Sequence, residues 1–143
     1  AENSDNYSWF FRQIKEVEGL AGFVESSLQL SDRGKGLACA QRQEFPQTPV
    51  RKCGRHIVSS VRKHIKGGAG VTDANIWDII NAGSVAEYET ALQVLRNKHL
   101  AAGTYVQAIE NTSYVFYTFI ERGIATFGSS TSNVVESRNS AYL

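Results

Sequence analysis

The sequence predicts an α/β fold, a mixed sheet with flanking helices, interrupted by an all-helical insertion over about residues 71–122. Three observations carry this. Two short apolar runs, Phe23-Val24 leading to Leu28-Gln29-Leu30 and then Val50-Arg51-Lys52-Cys53, have strand length and alternate with helical stretches. From Thr72 to Ile120 the apolar residues recur almost purely at helical spacing. Between these regimes Gly67-Gly68-Ala69-Gly70 breaks the chain.

The elements follow in order. Residues 4–18 set Tyr7, Phe10 or Phe11, Ile14 and Val17 three and four apart, an amphipathic helix with Ser4 available as its cap and Gly19 and Gly22 at its end. A buried strand over 23–30 then reaches Ser31-Asp32-Arg33-Gly34-Lys35-Gly36-Leu37, which opens into a helix through Leu37-Ala38-Cys39-Ala40. Two prolines in Phe45-Pro46-Gln47-Thr48-Pro49 force an extended turn before the second strand. Arg55 to Lys66 is a helix whose Ile57, Val58, Val61 and Ile65 gather on one side, while Arg55, Arg62 and Lys66 align on another. Thr72 caps a helix carrying Ile76, Trp77 and Ile80, and Ser84-Val85-Ala86-Glu87 has capping-box form before Tyr88, Ala91, Leu92 and Leu95. A third run carries Leu100, Tyr105, Val106 and Ile109, and Tyr114 to Ile120 is read as helix from its neighbours. Last, Thr131 to Asn139 turns from loop into helix, with Asn133 and Glu136 spaced for a reciprocal cap.

Composition narrows the classes. A chain of 143 residues that is 42% hydrophobic can build one ordinary core. No apolar run is long enough to cross a bilayer, and the polar, acidic first residues are unlike a signal peptide, so the expectation is a soluble intracellular protein. Two cysteines, Cys39 and Cys53, make a disulfide framework unlike this chain, although spacing leaves their pairing open. Fifteen basic against fourteen acidic residues leave a net charge of +1. Yet Arg51, Lys52, Arg55, Arg62, Lys63 and Lys66 fall in one stretch without an acid, a local basic surface.

Four groups of residues invite chemistry, each with a plainer alternative. Asp32 ends a strand, where α/β sheets place reacting groups, and it equally suits a helix cap. Glu136 is a second carboxylate, or a cap partner of Asn133. The Cys53-x-x-His56 pair has half a zinc-site spacing, but Cys39, His64 and His99 supply no second pair; a packed cysteine and a hydrogen-bonded histidine fit as well. The row Arg55, Arg62 and Lys66, with Lys35 as a further candidate, is a phosphate track or a solvated face. Gly34-Lys35-Gly36 is no nucleotide loop, because the rest of that motif is missing.

Taken together, Ser-Asp-Arg-x-Lys-Gly-Leu at 31–37, Phe45-Pro46, Cys53-x-x-His56 and Thr131-Ser132-Asn133-x-x-Glu136-Ser137-x-Asn139 resemble the transposases of Mutator-like DNA elements. The resemblance extends over essentially the whole chain, Trp9-Phe10 and the helical block included. It implies the second half of an RNase H-like catalytic domain, with Asp32 and Glu136 as second and third acids of an Asp-Asp-Glu triad. It also implies Mg²⁺ or Mn²⁺ once the triad is complete, since two hard cations about 3.5–4 Å apart serve in-line phosphodiester cleavage and strand transfer. Cys53, His56, Asn133 and Asn139 become family marks, His56 near the scissile phosphate. The implied partners are transposon-end and target DNA, the remainder of the catalytic domain and further copies of the full-length protein, with no membrane, in the nucleus. The family's first Asp lies on an earlier strand; no strand precedes residue 4 and Asp5 sits at a helix start, so the expectation is that this chain alone cleaves nothing. A transposase-derived DNA-binding regulator that does not cut is the alternative function, and a helical interaction module whose acids are only caps is a third.

Overall fold

A computed structural model describes residues 3–32, 34–66 and 70–126. It is a mixed α/β structure, mostly helical, around a two-stranded parallel sheet. Among the described residues no helix is long and apolar enough to cross a membrane.

Helix α1 spans Ser4–Glu16. Asn3, rather than Ser4, is its N-cap: the Asn3 side chain accepts the Asn6 N–H at 3.0 Å. Phe11 is the phenylalanine that turns inward, whereas Phe10 is 53% exposed. The strand expected at Phe23-Val24 is instead the short helix α2, Leu20–Glu25. Gly19 takes the left-handed φ of 76° that ends one helix and starts the next. Ser26 and Ser27 hydroxyls then donate to the Phe23 carbonyl and close α2. Val24 packs inward and Phe23 points out at 66% exposure, so the apolar pair does not mark a buried strand.

Strand β1 is only Gln29–Ser31, half-buried, and it pairs in parallel with β2, Val50–Lys52. Helix α3, Lys35–Glu44, lies between them as the crossover. The buried Gln41 amide donates to the Phe45 and Thr48 carbonyls at 2.8 and 3.1 Å, fixing the proline-bounded turn into β2. Helices α1 and α3 enclose a small core of Phe11, Ala40 and Phe45, with Phe11 and Phe45 edge to face at 5.6 Å.

Helix α4, Gly54–Ile65, turns Ile57, Val58, Val61 and Ile65 inward as the periodicity predicts. The helices that follow are α5 (Asp73–Ile80), α6 (Val85–Lys98), α7 (Leu100–Gln107) and α8 (Phe116–Glu121). Both predicted caps exist: Asn75 Oδ1 accepts from the Thr72 N–H and hydroxyl, and Ser84 Oγ accepts the Glu87 N–H at 3.2 Å. Glu87 reaches one residue further back than expected, to the Gly83 N–H at 2.7 Å. Leu100 is exposed, while Tyr114 and Val115 are fully enclosed but precede α8, whose helix starts only at Phe116.

Helix α4 shares one core with α5 to α8: Ile57, Val61, Ile76, Ile80, Leu95, Val106 and Tyr114 form a continuous cluster. The glycine break in the sequence is therefore not a break in packing. Arg51 corrects another expectation. It belongs to the basic run, yet it is 1% exposed; Nε donates to the Tyr114 carbonyl at 3.2 Å and the guanidinium faces the Phe116 and Phe119 rings at 5.9 and 5.4 Å. One buried arginine thus fastens the sheet to the helical layer.

Candidate active site

The parallel register brings Asp32 and Cys53 to the same end of the sheet. Ser31 lies opposite Lys52, and the Cys53 N–H donates to the Ser31 carbonyl at 2.7 Å, so the chain leaves β1 at Asp32 beside the point where it leaves β2 at Cys53. Both exits are carboxyl ends of strands followed by helices, the crevice position of α/β sheets.

Asp32 is exposed, and its Oδ1 accepts the Gly34 N–H at 2.8 Å. This local bond holds the turn before α3, but the N-cap position itself is Gly34. A Cβ on Gly34 would lie 2.9 Å from Asp32 Oδ1, so the absence of a side chain there lets the carboxylate fold back over the backbone. Lys35, the first residue of α3, is exposed beside it.

Cys53 is the N-cap of α4 and is buried; His56, half-buried, sits in the first turn and its carbonyl accepts the Ser60 hydroxyl at 2.7 Å. Cys39 lies half-buried on α3. Among the described residues no three of His, Cys, Asp and Glu stand close enough to hold a metal, which includes Cys53 and His56 as a zinc half-site. His99 is used as the N-cap of α7, and His64 stacks on Tyr105 with ring centroids 4.4 Å apart. Glu136, Asn133 and Asn139 lie outside the described residues.

The basic row divides. Arg55 is exposed at the start of α4 and Lys66 is exposed at its end, where Lys66 adopts a left-handed φ of 48°. Arg62 between them is engaged: Nε donates to Asp73 Oδ1 and Nη1 to the Val71 carbonyl, each at 2.7 Å. It staples α4 to the start of α5, so the row offers two open cations rather than three. The sequence reading missed Asp73 as a partner because it starts a different helix, and it missed Arg51 because the carbonyl and rings that enclose it lie 63 residues or more downstream. The position of Arg51 in the middle of β2, with alternate side chains on opposite faces, was the one available signal. Compared with known proteins, the chain matches no family model, no curated sequence and no solved structure.

Proposed function

We propose that this chain is part of the catalytic core of a Mutator-like DNA transposase: an RNase H-like half-domain in which α5 to α8 form the insertion between the second and third acids of an Asp-Asp-Glu triad. The observation that supports it most is the placement of Asp32 next to the Cys53–His56 turn at the carboxyl ends of two parallel strands. An exposed carboxylate oxygen is the donor that Mg²⁺ and Mn²⁺ prefer, and Asp32 with Glu136 would hold the ion. When bound, the ion supplies Lewis-acid activation of the attacking oxygen and charge stabilisation at the leaving one.

The chain's own residues have separate tasks. The Gly34 N–H orients the Asp32 carboxylate. Arg55, Lys66 and Lys35 meet backbone phosphates, which binds DNA without reading sequence. Arg62 holds α4 and α5 in place instead of binding phosphate. The triad's first Asp comes from elsewhere in the catalytic domain, which is the second partner, and the site of action is the nucleus.

Paramagnetic broadening by Mn²⁺ tests the metal site on the full 143-residue chain. Amide signals of residues flanking Asp32 are expected to broaden, and Asp32→Asn to abolish the effect while leaving the spectrum folded. Broadening that is indifferent to both Asp32→Asn and Glu136→Gln overturns the assignment. Duplex DNA binding is expected to lose about 0.9 in its log–log salt slope for each of Arg55→Gln and Lys66→Gln, and nothing for Arg62→Gln. DNA binding with no metal response from either acid favours the non-cutting regulator, and metal-dependent nicking by this chain alone overturns the missing-acid reading.

A further inference from the structure

We propose that His99 is an acid-sensitive joint between α6 and α7: its neutral ring caps the first turn of α7, and a proton on that ring releases the turn. Neither Asp32 nor DNA enters into this.

One residue makes the connection. Helix α6 ends at Lys98 and α7 begins at Leu100, so His99 is the C-cap of one helix and the N-cap of the next. Its N–H donates to the Leu95 carbonyl at 2.8 Å and its carbonyl accepts the Gly103 N–H at 3.1 Å, which ties its backbone to both helices. The ring adds a further bond, Nδ1 accepting the Ala102 N–H at 3.2 Å. Asn, Asp, Ser or Thr usually fills this place, with an oxygen that stays an acceptor near neutral pH. An imidazole nitrogen accepts only while it carries no proton, and histidine changes charge between about pH 5 and 8. With both ring nitrogens protonated a donor faces a donor, and a positive charge stands at the positive end of a helix. Ala102 is fully enclosed, so its N–H then lacks a solvent acceptor.

The surroundings do not offset that charge. Helix α6 contributes Arg96, bonded to Gln107, and Lys98, bonded to Asn75. Helix α5, packed against α6, brings Asp73, already paired with Arg62, and Asp78 further along. Helix α7 itself offers only Tyr105, and α4, packed against α7, ends in Lys63 and His64. Among the described residues no carboxylate bonds to the His99 ring. His64 is the other ring on α7, stacked on Tyr105 with centroids 4.4 Å apart, and a proton there adds a cation-over-ring attraction. Acid therefore loosens the start of α7 and not its middle, while Gly103, which leaves no room for a side chain against Arg96, keeps the two helices in contact.

Hydrogen exchange of the 143-residue chain, each rate divided by that of an unstructured amide at the same pH, tests the joint. Ala102 should lose about fivefold of its protection from about pH 8 to about pH 5, while Val106 keeps its own. His99→Asn, a cap with no proton to gain, should keep Ala102 protected at both ends of that range, and His99→Ala should lower the protection at both. His64→Phe should leave the acid loss intact. The nitrogen chemical shift of His99 Nδ1 gives a reading that needs no variant: unprotonated at the alkaline end, and protonated in step with the loss at Ala102. Protection of Ala102 that ignores pH overturns the proposal, as does an equal acid loss at Val106, which would be general unfolding. So does an acid loss that persists in His99→Asn or vanishes in His64→Phe, or an Nδ1 protonated at the alkaline end.

Discussion

The layer of α1 to α3 and the layer of α4 to α8 differ in how they are held. In the helical layer Ile57, Ile76, Ile79, Ile80, Leu95, Val106 and Tyr114 are completely enclosed, and burial pushes the Tyr114 hydroxyl's pKa far up, with the neighbouring Tyr88 adding to it. The first layer encloses little beyond Phe11, Ala40 and Phe45, and leaves Trp9, Phe10, Val17 and Phe23 exposed. It adds surface ion pairs in compensation, Arg12 and Lys15 both reaching Glu44. The apolar area removed from water sets most of the stability, so the helical layer is the anchor. The other layer carries Asp32 and β1, which pairs only with β2 among the described residues. The candidate chemistry straddles β2, with Asp32 on the side of the first layer and Arg55, His56 and Lys66 on α4, and Arg51 ties the sheet to the helical layer.

The largest effect is expected from Leu95→Ala, which leaves a cavity in the anchor and should cost about 2–5 kcal/mol in urea denaturation. Loss confined to the helical amides, with α1 to α3 still protected, would break the view of the helical layer as the support of the other. Arg51→Met comes next. It keeps the volume and removes the donor to the Tyr114 carbonyl, an expected cost of about 1–3 kcal/mol. Burial lowers the pKa of this guanidinium from its ordinary value. Hydrogen exchange should show α1 to α3 opening before α4 to α8 in this variant; a single concerted opening would show that the layers hold together without Arg51.

A smaller effect separates the layers by pH. The hydrogen bond from Lys15, and then that from Arg12, hold the Glu44 carboxyl below its ordinary value. A lowered folded-state pKa means stability that is present above the unfolded value and lost as pH falls through the folded one. The difference in melting temperature between wild type and Glu44→Gln should therefore shrink to nothing on acidification below the ordinary carboxylate range. A difference that persists in acid would show that Glu44 acts by packing. Smallest of all is Asp32→Asn, which retains the acceptor for Gly34 and should change stability by less than about 0.5 kcal/mol, read by thermal melting. A larger loss would move Asp32 from the chemistry of the site to the architecture of the turn.

Local pattern gave a good account of the helices. The spacing of Ile57, Val58, Val61 and Ile65 placed α4 and its buried face, and the capping residues at Thr72 and Ser84 marked the starts of α5 and α6 to the residue. These signals act within one turn, where neighbours three or four positions apart meet. The Phe23-Val24 run misled because a short apolar pair fits either period; the left-handed turn at Gly19 settled it as helix. At the site, Asp32 at a strand's end and Cys53 at another were legible, but not the parallel register that sets them side by side. Sequence distance also concealed the two arginines, since the groups that enclose Arg51 and pair with Arg62 lie on other elements.

By itself the sequence determined an α/β chain, the start and inward face of most helices and the proline-bounded turn, but not whether the two cysteines pair. Tertiary structure decided which cations remain open, that Cys53 is buried while Cys39 is half-buried, that α4 packs with the helices after it, and that β1 keeps one edge without a strand among the described residues. The division is physical. Backbone preference and amphipathic period are properties of a few consecutive residues, whereas burial, charge pairing and strand register depend on which distant segments meet.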